Sequence, residues 1–536
     1  MIGTAFQQEV LRKLSDLSPV YIIGGAVRDS LLGFPSKDLD VVTIIPLDQI
    51  VNKLSDWGYK PHTIGVHQPT VSLFQGKDRL DIATFSGDLE KDALRRDFTI
   101  NAIFQDVKTG EIKDPLNGLQ ALREKRLESC GEAEERFQED GIRILRLIRF
   151  AVRYGFDIAP DTWQAAAKQV SLLRGVALER VTEELAKILM LEEIENALGL
   201  LDDLGYFKMY IPELARLKGL IQNQYHTKDA WDHTRRVVKN APPTVLLRLA
   251  ALLHDIGKWE TASRECYTWG EIKPAAGGYS VNEFNLIGKN LKRWLHINVE
   301  VHGGRLDNYP DTIVVKRIKP VLTLPKKHFE MVLNGKRHFL QHERESARLV
   351  KEFLTRFRWS MVLPGGTNGE RELHFLVGHH MQGTLTFMSE LKGEIHSPKT
   401  RLKARRFAWE IGWDGQSFNS QRVENLLTLW RADFLGGKQD SEENLYRLEG
   451  IQSEIRSACT FLKERAGLLN WKSFEGFARE KGLEAEQFGQ FKEQVRKRVM
   501  FDDKYSLTDL RFLEKEYNFY CKSESSAWNK HKPRLK

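Results

Sequence analysis

At 536 residues, 41% of them apolar and 29% charged, the chain has the composition of a folded protein of three or more domains and excludes a disordered or fibrous one. No run approaches the roughly 20 apolar residues that span a bilayer, and the opening "MIGTAFQQEVLRKLSDLSP" lacks the basic start and apolar stretch of a secretory leader, so no membrane partner and a cytoplasmic location are expected. Lys and Arg exceed Asp and Glu by 81 to 73, a net +8 that gathers in "DGIRILRLIRFAVRYGF" and in the closing "RFLEKEYNFYCKSESSAWNKHKPRLK". Basic residues mixed with aromatics suit a phosphate-rich partner, although charge alone fits a solvated basic face equally well.

In chain order, residues 20–24 and 39–45 are short β-branched runs bounded by Gly, Pro and Asp, which predicts two strands. "AVRDSLLG" between them has helical spacing and a closing glycine. "VSLF" and "RLDIATF" predict a further strand pair, giving a small mixed α/β domain over 1–127. From "AEERFQEDGIRILRLIRF" onward the pattern turns helical, through 128–220, 226–258 and 338–440, with a helical C-terminal region over 441–536 that ends in a basic tail. The four cysteines (Cys130, Cys266, Cys459, Cys521) lie far apart with no CxxC spacing and read as reduced thiols.

The chemistry begins in "YIIGGAVRDSLLGFPSKDLDVV". Side chains two apart on a strand share a face, so Asp38 and Asp40 point one way and Leu39 enters the core. Two neighbouring carboxylates suit a pair of magnesium ions serving phosphoryl chemistry. Gly24 and Gly25 let the backbone approach a triphosphate at the start of a helix, and Arg28 one turn later adds charge to the same phosphates. Asp81 in "RLDIAT" sits on a strand and is a candidate third carboxylate.

The order strand, GG, RD, DxD resembles the first motif of the bacterial class II tRNA nucleotidyltransferases, which share a catalytic head with bacterial poly(A) polymerases. "DALRRDFTINAI", "DPLNGLQALREKRL", "EDGIRILRLIRFAVRYGF" and "RVTEEL" follow in that family's order within about the first two hundred residues. The resemblance implies a polymerase-β-like mixed-sheet head followed by mainly α-helical neck and body. It also implies templateless addition of C, or C then A, from CTP and ATP to the tRNA acceptor end. Through it, Arg96 is expected to hold phosphate and Asp97 a ribose hydroxyl, with Asn101 in support. Asp140 and Arg143, three apart on one expected helix starting at Glu139 and followed by Arg146, are expected to read the base. An arginine fork donates to N3 and O2 of cytosine or N1 of adenine, and the aspartate accepts from the exocyclic amine. One departure stands out: "DIATFSGDLEKDALRRD" runs almost directly from strand to motif, where the family usually has a longer loop tied to the switch from C to A addition. A CC-adding enzyme is compatible with that.

A second constellation lies downstream: His233 in "DAWDHTRRVV", His254 and Asp255 in "LRLAALLHDIGK", His342, His380 and Asp433. Imidazoles with carboxylates suit divalent metals, the identity being open. These residues resemble the ligand set of the HD superfamily of metal-dependent phosphohydrolases, which implies an HD domain over 221–440, interrupted by an insertion at about 259–337 of unassigned role. Two alternatives stay open: a poly(A) polymerase of the same fold, and an HD phosphohydrolase whose head senses nucleotides. A module that only binds RNA would have no use for two carboxylate clusters.

Overall fold

The computed structural model describes residues 2–35, 38–65, 69–220, 229–262, 341–414, 417–437, 441–468 and 471–481, together with strand backbone within 266–334 and scattered positions at 339 and 487–518. The chain divides into two compact units, the first built mainly from Met1–Ala215 and the second mainly from residues after Ala215.

The first unit opens with α1 (Ala5–Ser15), β1 (Val20–Ile23), α2 (Gly25–Leu31), β2 (Asp38–Thr43) and α3 (Leu47–Asp56). Then come β3 (His62–Ile64), β4 (Thr70–Gln75), β5 (Asp78–Thr84), α4 (Leu89–Leu94), β6 (Phe104–Asp106) and β7 (Ile112–Lys113). The strands make one sheet in the order β3-β4-β5-β2-β1-β6-β7, in which β2 and β5 are parallel and every other pair is antiparallel. The parallel pair needs a crossover, which α3 and the β3–β4 segment provide.

Alternation along β2 decides what the sheet offers on each side. Leu39 and Val41 are buried, and Asp38 and Asp40 are open to solvent. Val42, on the side of the aspartates, packs with Ile23, Ala93, Ala102, Phe104 and Cys130. A hydrophobic patch thus anchors the carboxylate face while its upper half stays accessible.

After α5 (Gly118–Arg123) and β8 (Arg126–Leu127) the unit turns helical: α6 (Ala133–Glu139), α7 (Arg143–Tyr154), then β9 (Asp157–Ile158), α8 (Pro160–Gln169), α9 (Leu178–Leu189) and α10 (Ile194–Asp203). The single helix expected from Glu139 is not formed. It is broken at Asp140, whose backbone is extended (φ −154°, ψ 99°). Asp-Gly is a poor helix pair, and Gly141 is pressed against the Leu172 backbone, where a Cβ would lie 3.0 Å from the carbonyl oxygen. α7 then buries Ile144, Leu145, Leu147, Ile148, Phe150 and Ala151 and leaves its arginines at the rim.

Beyond Ala215 the expected helices are present at Ala230–Asn240, Val245–Leu253, His342–Arg356, Thr367–His379, Pro398–Gly412 and Ser420–Gly436. The insertion contributes an antiparallel hairpin, Cys266–Ala275 with Gly278–Ile287, and the pairings Leu295–His296 with Lys319–Pro320 and Thr312–Val315 with Met331–Asn334. Residues 288–294 and 297–311 of the insertion lie outside the described residues. Beyond the long helix Glu442–Leu468, a small core gathers Phe474, Phe477, Phe491, Val495, Phe512 and Leu513. The basic tail after 518, like the Cys521 thiol, lies outside the described residues; Cys130 and Cys459 are buried free thiols. No helix among the described residues is long and apolar enough to cross a membrane.

Candidate functional site

A cavity of about 390 Å³ opens where β1 passes into α2. Gly24 has φ 67° and ψ −133°, a backbone conformation open to glycine and strained for other residues. That turn brings the chain against the carboxylate strand, so a Cβ on Gly24 would lie 3.9 Å from Asp40 Oδ2 and 4.0 Å from Arg96 Nη1. Asp40 and Asp81 are partners in the parallel register, and Asp38 stands opposite Arg79. Asp40 lies at the cavity wall, enclosed by protein on its inner side. Its carboxyl is raised above the usual range, first by that enclosure and then by the Asp81 charge, against the pull of Arg96 and Arg79.

Six arginines line the cavity: Arg28, Arg95, Arg96, Arg143, Arg146 and Arg149. They outnumber its three aspartates, Asp40, Asp97 and Asp140, as a polyanionic ligand needs. Asp92 on α4 is buried and fixes two of them, accepting from Arg95 Nε at 2.7 Å and from Arg96 Nη2 at 2.7 Å. Phe150 sits beneath three more, its ring centroid 5.0 Å from the guanidinium of Arg28, 5.5 Å from that of Arg146 and 4.2 Å from that of Arg149.

Asp97 is 6% exposed. Its Oδ1 accepts from the Phe98 amide at 2.8 Å and Asn101 Nδ2 at 2.9 Å, and its Oδ2 pairs with Arg146 Nη2 at 2.7 Å. Burial works to raise this carboxyl, but Arg146, Asn101 and the Phe98 amide together hold it below the usual range. Asn101 Oδ1 in turn accepts from Arg28 Nη1.

The structure brings Gly24, Gly25, Arg28, Asp40, Arg96, Asp97, Asn101, Asp140, Arg143 and Arg146 to this one cavity. Two expected members are not in its wall. Asp38 is exposed further along the same face, and Asp81 is held by Ser72 Oγ at 2.6 Å and Arg79 Nε at 2.9 Å. As hard oxygen donors on one face, Asp38 and Asp40 fit magnesium. Asp81 is paired with Arg79, and the three carboxylates do not form a cluster of ligand atoms within 4.8 Å.

Two expected partnerships are different from the sequence reading. Arg28 lines the cavity but is 4% exposed, with Nε and Nη2 on Asp29 and Nη1 on Asn101, so part of its donor set is already held within the wall. Asp140 does not pair with Arg143, because the helix break takes it out of the helical spacing that would put the two on one face. Arg180 Nη1 and Nη2 hold its two oxygens at 3.1 and 2.7 Å. Arg143 donates instead to the carbonyls of Arg136 at 2.9 Å and Arg95 at 2.7 Å and to Glu139 at 2.9 Å. The sequence reading missed Arg95, Arg149, Phe150 and Arg180. Arg149 was findable, as the third arginine in the three-residue spacing of "RILRLIR".

The second unit gathers all six downstream candidates. His233 Nε2 lies 3.0 Å from Asp433 Oδ1, His254 Nε2 3.0 Å from Asp255 Oδ2, and His342 Nε2 3.2 Å from Asp255 Oδ1 and 3.1 Å from His380 Nε2. The Nδ1 atoms of His254, His342 and His380 meet the carbonyls of Ala251, Phe339 and Val377 at 2.7–2.8 Å, which leaves the Nε2 lone pairs facing inward. Asp255 belongs to two groups of close ligand atoms, with His233 and His254 on one side and His342 and His380 on the other. Both of its oxygens are buried, and Lys258 Nζ lies 2.6 Å from Oδ2. Burial works to raise the Asp255 carboxyl, but His254 and Lys258 outweigh it and hold it well below the usual range. Burial among His342 and His254 pushes His380 down to about 3. A buried carboxylate ringed by inward-facing imidazole nitrogens fits a divalent cation of the transition series.

Comparison with known proteins agrees with this geometry in the first unit. Residues 20–128 match the family described as Poly A polymerase head domain, and residues 155–218 match the probable RNA and SrmB-binding site of polymerase A. The CCA-adding enzyme of Geobacillus stearothermophilus is 40% identical over 208 residues, which is 36% of this chain and 51% of that one. The multifunctional CCA protein of Neisseria gonorrhoeae is 36% identical over 284 residues, 49% of this chain and 66% of that one. The chain thus spans about half the length of the first curated relatives it matches. A solved CCA-adding enzyme in complex with ATP shares the fold at a TM-score of 0.53 with 18% identity, over 95% of this chain and 94% of that one. Over residues 20–128 and 155–218 the chain is therefore similar to the head and RNA-binding regions of that family, and its curated relatives are CCA-adding enzymes.

Proposed function

We propose that the chain adds cytidylate, from CTP, to the 3′ end of tRNA in the cytoplasm without a nucleic-acid template. The observation that carries this reading is the arginine-rich cavity, which joins the glycine turn, Asp40 and the Asp97–Asn101–Arg146 set in one space. In the reaction the 3′ oxygen of the RNA bonds to the α-phosphorus while the bond to pyrophosphate breaks. Arg96 and Arg146 face that departing charge, and the turn amides after Gly24 cradle the triphosphate. Asp38 and Asp40 would hold magnesium, which supplies Lewis acidity for phosphoryl transfer. Asp97 and Asn101 orient the ribose, and Asp140 and Arg143, each with its own partners in the cavity wall, face the base separately. Only four residues separate β5 from α4, which supports a CC-adding enzyme.

Within this reading, 1–127 is the catalytic head, 128–220 the neck and body, 221–440 an HD phosphohydrolase domain carrying the insertion, and 441–536 a helical extension. The His233, His254, Asp255, His342, His380 and Asp433 cluster would hold a divalent cation, which supplies Lewis acidity for hydrolysis of phosphate esters at RNA ends.

The test is incubation of the chain with tRNA ending at the discriminator base and each labelled nucleoside triphosphate. Incorporation of two C residues is the expected result, and C then A identifies a complete CCA-adding enzyme. Long A tracts would establish the poly(A) polymerase reading instead. Absence of any incorporation, with phosphatase activity retained, would leave the head as a sensor.

A further inference from the structure

We infer that Phe74 is the platform for the last base of the RNA acceptor strand: the 3′-terminal base stacks on this ring, on the open carboxylate face of the sheet, and its ribose then reaches Asp38 and Asp40. This rests on the nucleotidyl-transfer reading above. Register places the ring. Residues directly opposite on neighbouring strands share a face, so Asp38 on β2, Arg79 on β5 and Phe74 on β4 form one row, and Asp40, Asp81, Ser72 and His62 form the next. Strands lie about 4.8 Å apart, so the backbone at Phe74 is about 10 Å from that at Asp38, a gap that one nucleotide bridges. The nucleotide cavity takes the other side of Asp40, where β1 meets α2, which leaves the β5 and β4 side for the RNA end.

A single exposed phenylalanine needs no explanation. Phe74, however, is 54% exposed with a set of neighbours around it. The Arg79 guanidinium lies 5.7 Å from its centroid, and the His62 ring lies 6.0 Å away, tilted by 54°. Asp81 holds Arg79 in that place, with Nε on Oδ1 at 2.9 Å and Nη2 on Oδ2 at 2.8 Å, while the arginine side chain stays 43% exposed. All three residues of β3 are exposed as well, and Ile64, two after His62, continues the same face. An apolar side chain of a protein partner would bury the charges of Asp38, Arg79 and Asp81 around it at a cost. A nucleobase lays its π-face on the ring, keeps its polar edges in water and brings phosphates that the guanidinium attracts. Stacking accepts any base, which suits a site that meets a different terminal base after each addition.

The experiment uses the full chain and two tRNAs that end at the discriminator position, one carrying that base and one abasic there. It compares wild type with Phe74→Ala, Phe74→Leu and Phe74→Trp, reading KM for RNA and for CTP in single-nucleotide incorporation, and RNA binding by fluorescence anisotropy without CTP. Phe74→Ala is expected to weaken binding of the base-bearing RNA, and raise its KM, by about tenfold, the scale of one stacked base. KM for CTP and the melting midpoint should not move. Phe74→Trp should restore binding and Phe74→Leu should not, and on the abasic RNA the four chains should match. Unchanged RNA binding in Phe74→Ala overturns the inference. So does rescue by leucine, which is apolar packing, or an equal loss on abasic RNA, which is a contact elsewhere on the strand. Altered sedimentation of Phe74→Ala without RNA also overturns it, since a second copy of the chain then covers the ring. The incorporation lane tests the parent reading by itself: a wild type that binds RNA through Phe74 yet incorporates nothing overturns that reading and keeps the platform, whereas incorporation with no Phe74 effect overturns the platform alone.

Discussion

Arg28→Met separates a wall-stiffening arginine from a phosphate-binding one. The substitution keeps the length of the stem and removes the guanidinium, which is sandwiched over Tyr154 at 4.7 Å and Phe150 at 5.0 Å. It leaves Asp29 without the donors at 2.8 Å from Nε and Nη2, and Asn101 without its Nη1 partner. Breaking a buried pair by removing one member costs about 3–5 kcal/mol. Asp29 keeps the Tyr154 hydroxyl at 2.8 Å and a distant Arg153 at 3.8 Å, which places the expected loss near the lower end, about 3 kcal/mol. In a unit of this size each kcal/mol moves the midpoint by about 2–4 °C, so the first-unit transition should fall by about 6–12 °C. Scanning calorimetry of the full chain, with the transition assigned by its upward shift on CTP addition, measures it. A midpoint within 2 °C of wild type, together with a raised KM for CTP, would refute the reasoning and return Arg28 to the phosphates.

Further outcomes follow from the same geometry. Asp40→Ala should reduce incorporation by at least about a hundredfold while leaving the melting profile of the second unit alone; residual activity above a tenth would remove Asp40 from the machinery. Gly24→Ala, at φ 67°, should destabilise the first unit by about 1–3 kcal/mol, read as a lowered midpoint, and an unchanged midpoint would show that the turn relaxes. Asp97 has a carboxyl held below the usual range in the folded chain, so its stabilisation is full above the ordinary carboxylate range and drains away as pH falls through the lowered value. The stability gap between wild type and Asp97→Asn should therefore be constant from pH 7 to 5 and narrow below about pH 4; a gap unchanged at pH 3 would contradict the assignment. His254→Ala should abolish bound divalent metal, counted by elemental analysis of the purified chain, and leave nucleotide incorporation intact. Equal metal content in variant and wild type would dissociate the cluster from metal binding.

Much of the head was legible because its information is local. Alternation of Asp38, Leu39 and Asp40 states which side chains are wet without knowledge of any other strand, and the exposure pattern along β2 follows it. The glycine turn is likewise local, since the conformation of Gly24 is demanded by a strand-to-helix reversal within a few residues. What alternation does not contain is the identity of the strand next door. Asp81 stands beside Asp40 through the parallel register of β2 and β5, but its charge is already taken by Arg79, two residues before it on the same strand. A candidate ligand was thus placed correctly in the sheet, and its partner was invisible in the motif.

The Asp140 case shows the same boundary more sharply. Counting three residues from Asp140 to Arg143 puts them on one helix face only if the helix is continuous, and that depends on Gly141, whose backbone is wedged against Leu172 from another element. Once the link is extended, the carboxylate is free to choose a partner by distance in space, and the nearest guanidinium fork comes from forty residues later. The "RVTEEL" motif was visible from the start, yet its arginine had no role until that contact was seen. Motif spelling therefore specifies the ingredients of a polar site, whereas the pairing among them is set by long-range packing of apolar faces, here those of α7 and α9. For an excess of arginines around few carboxylates the consequence is physical: each acid is a scarce partner, and a single break in a helix redistributes all of them. Selectivity in such a cavity should respond to residues that never touch the nucleotide.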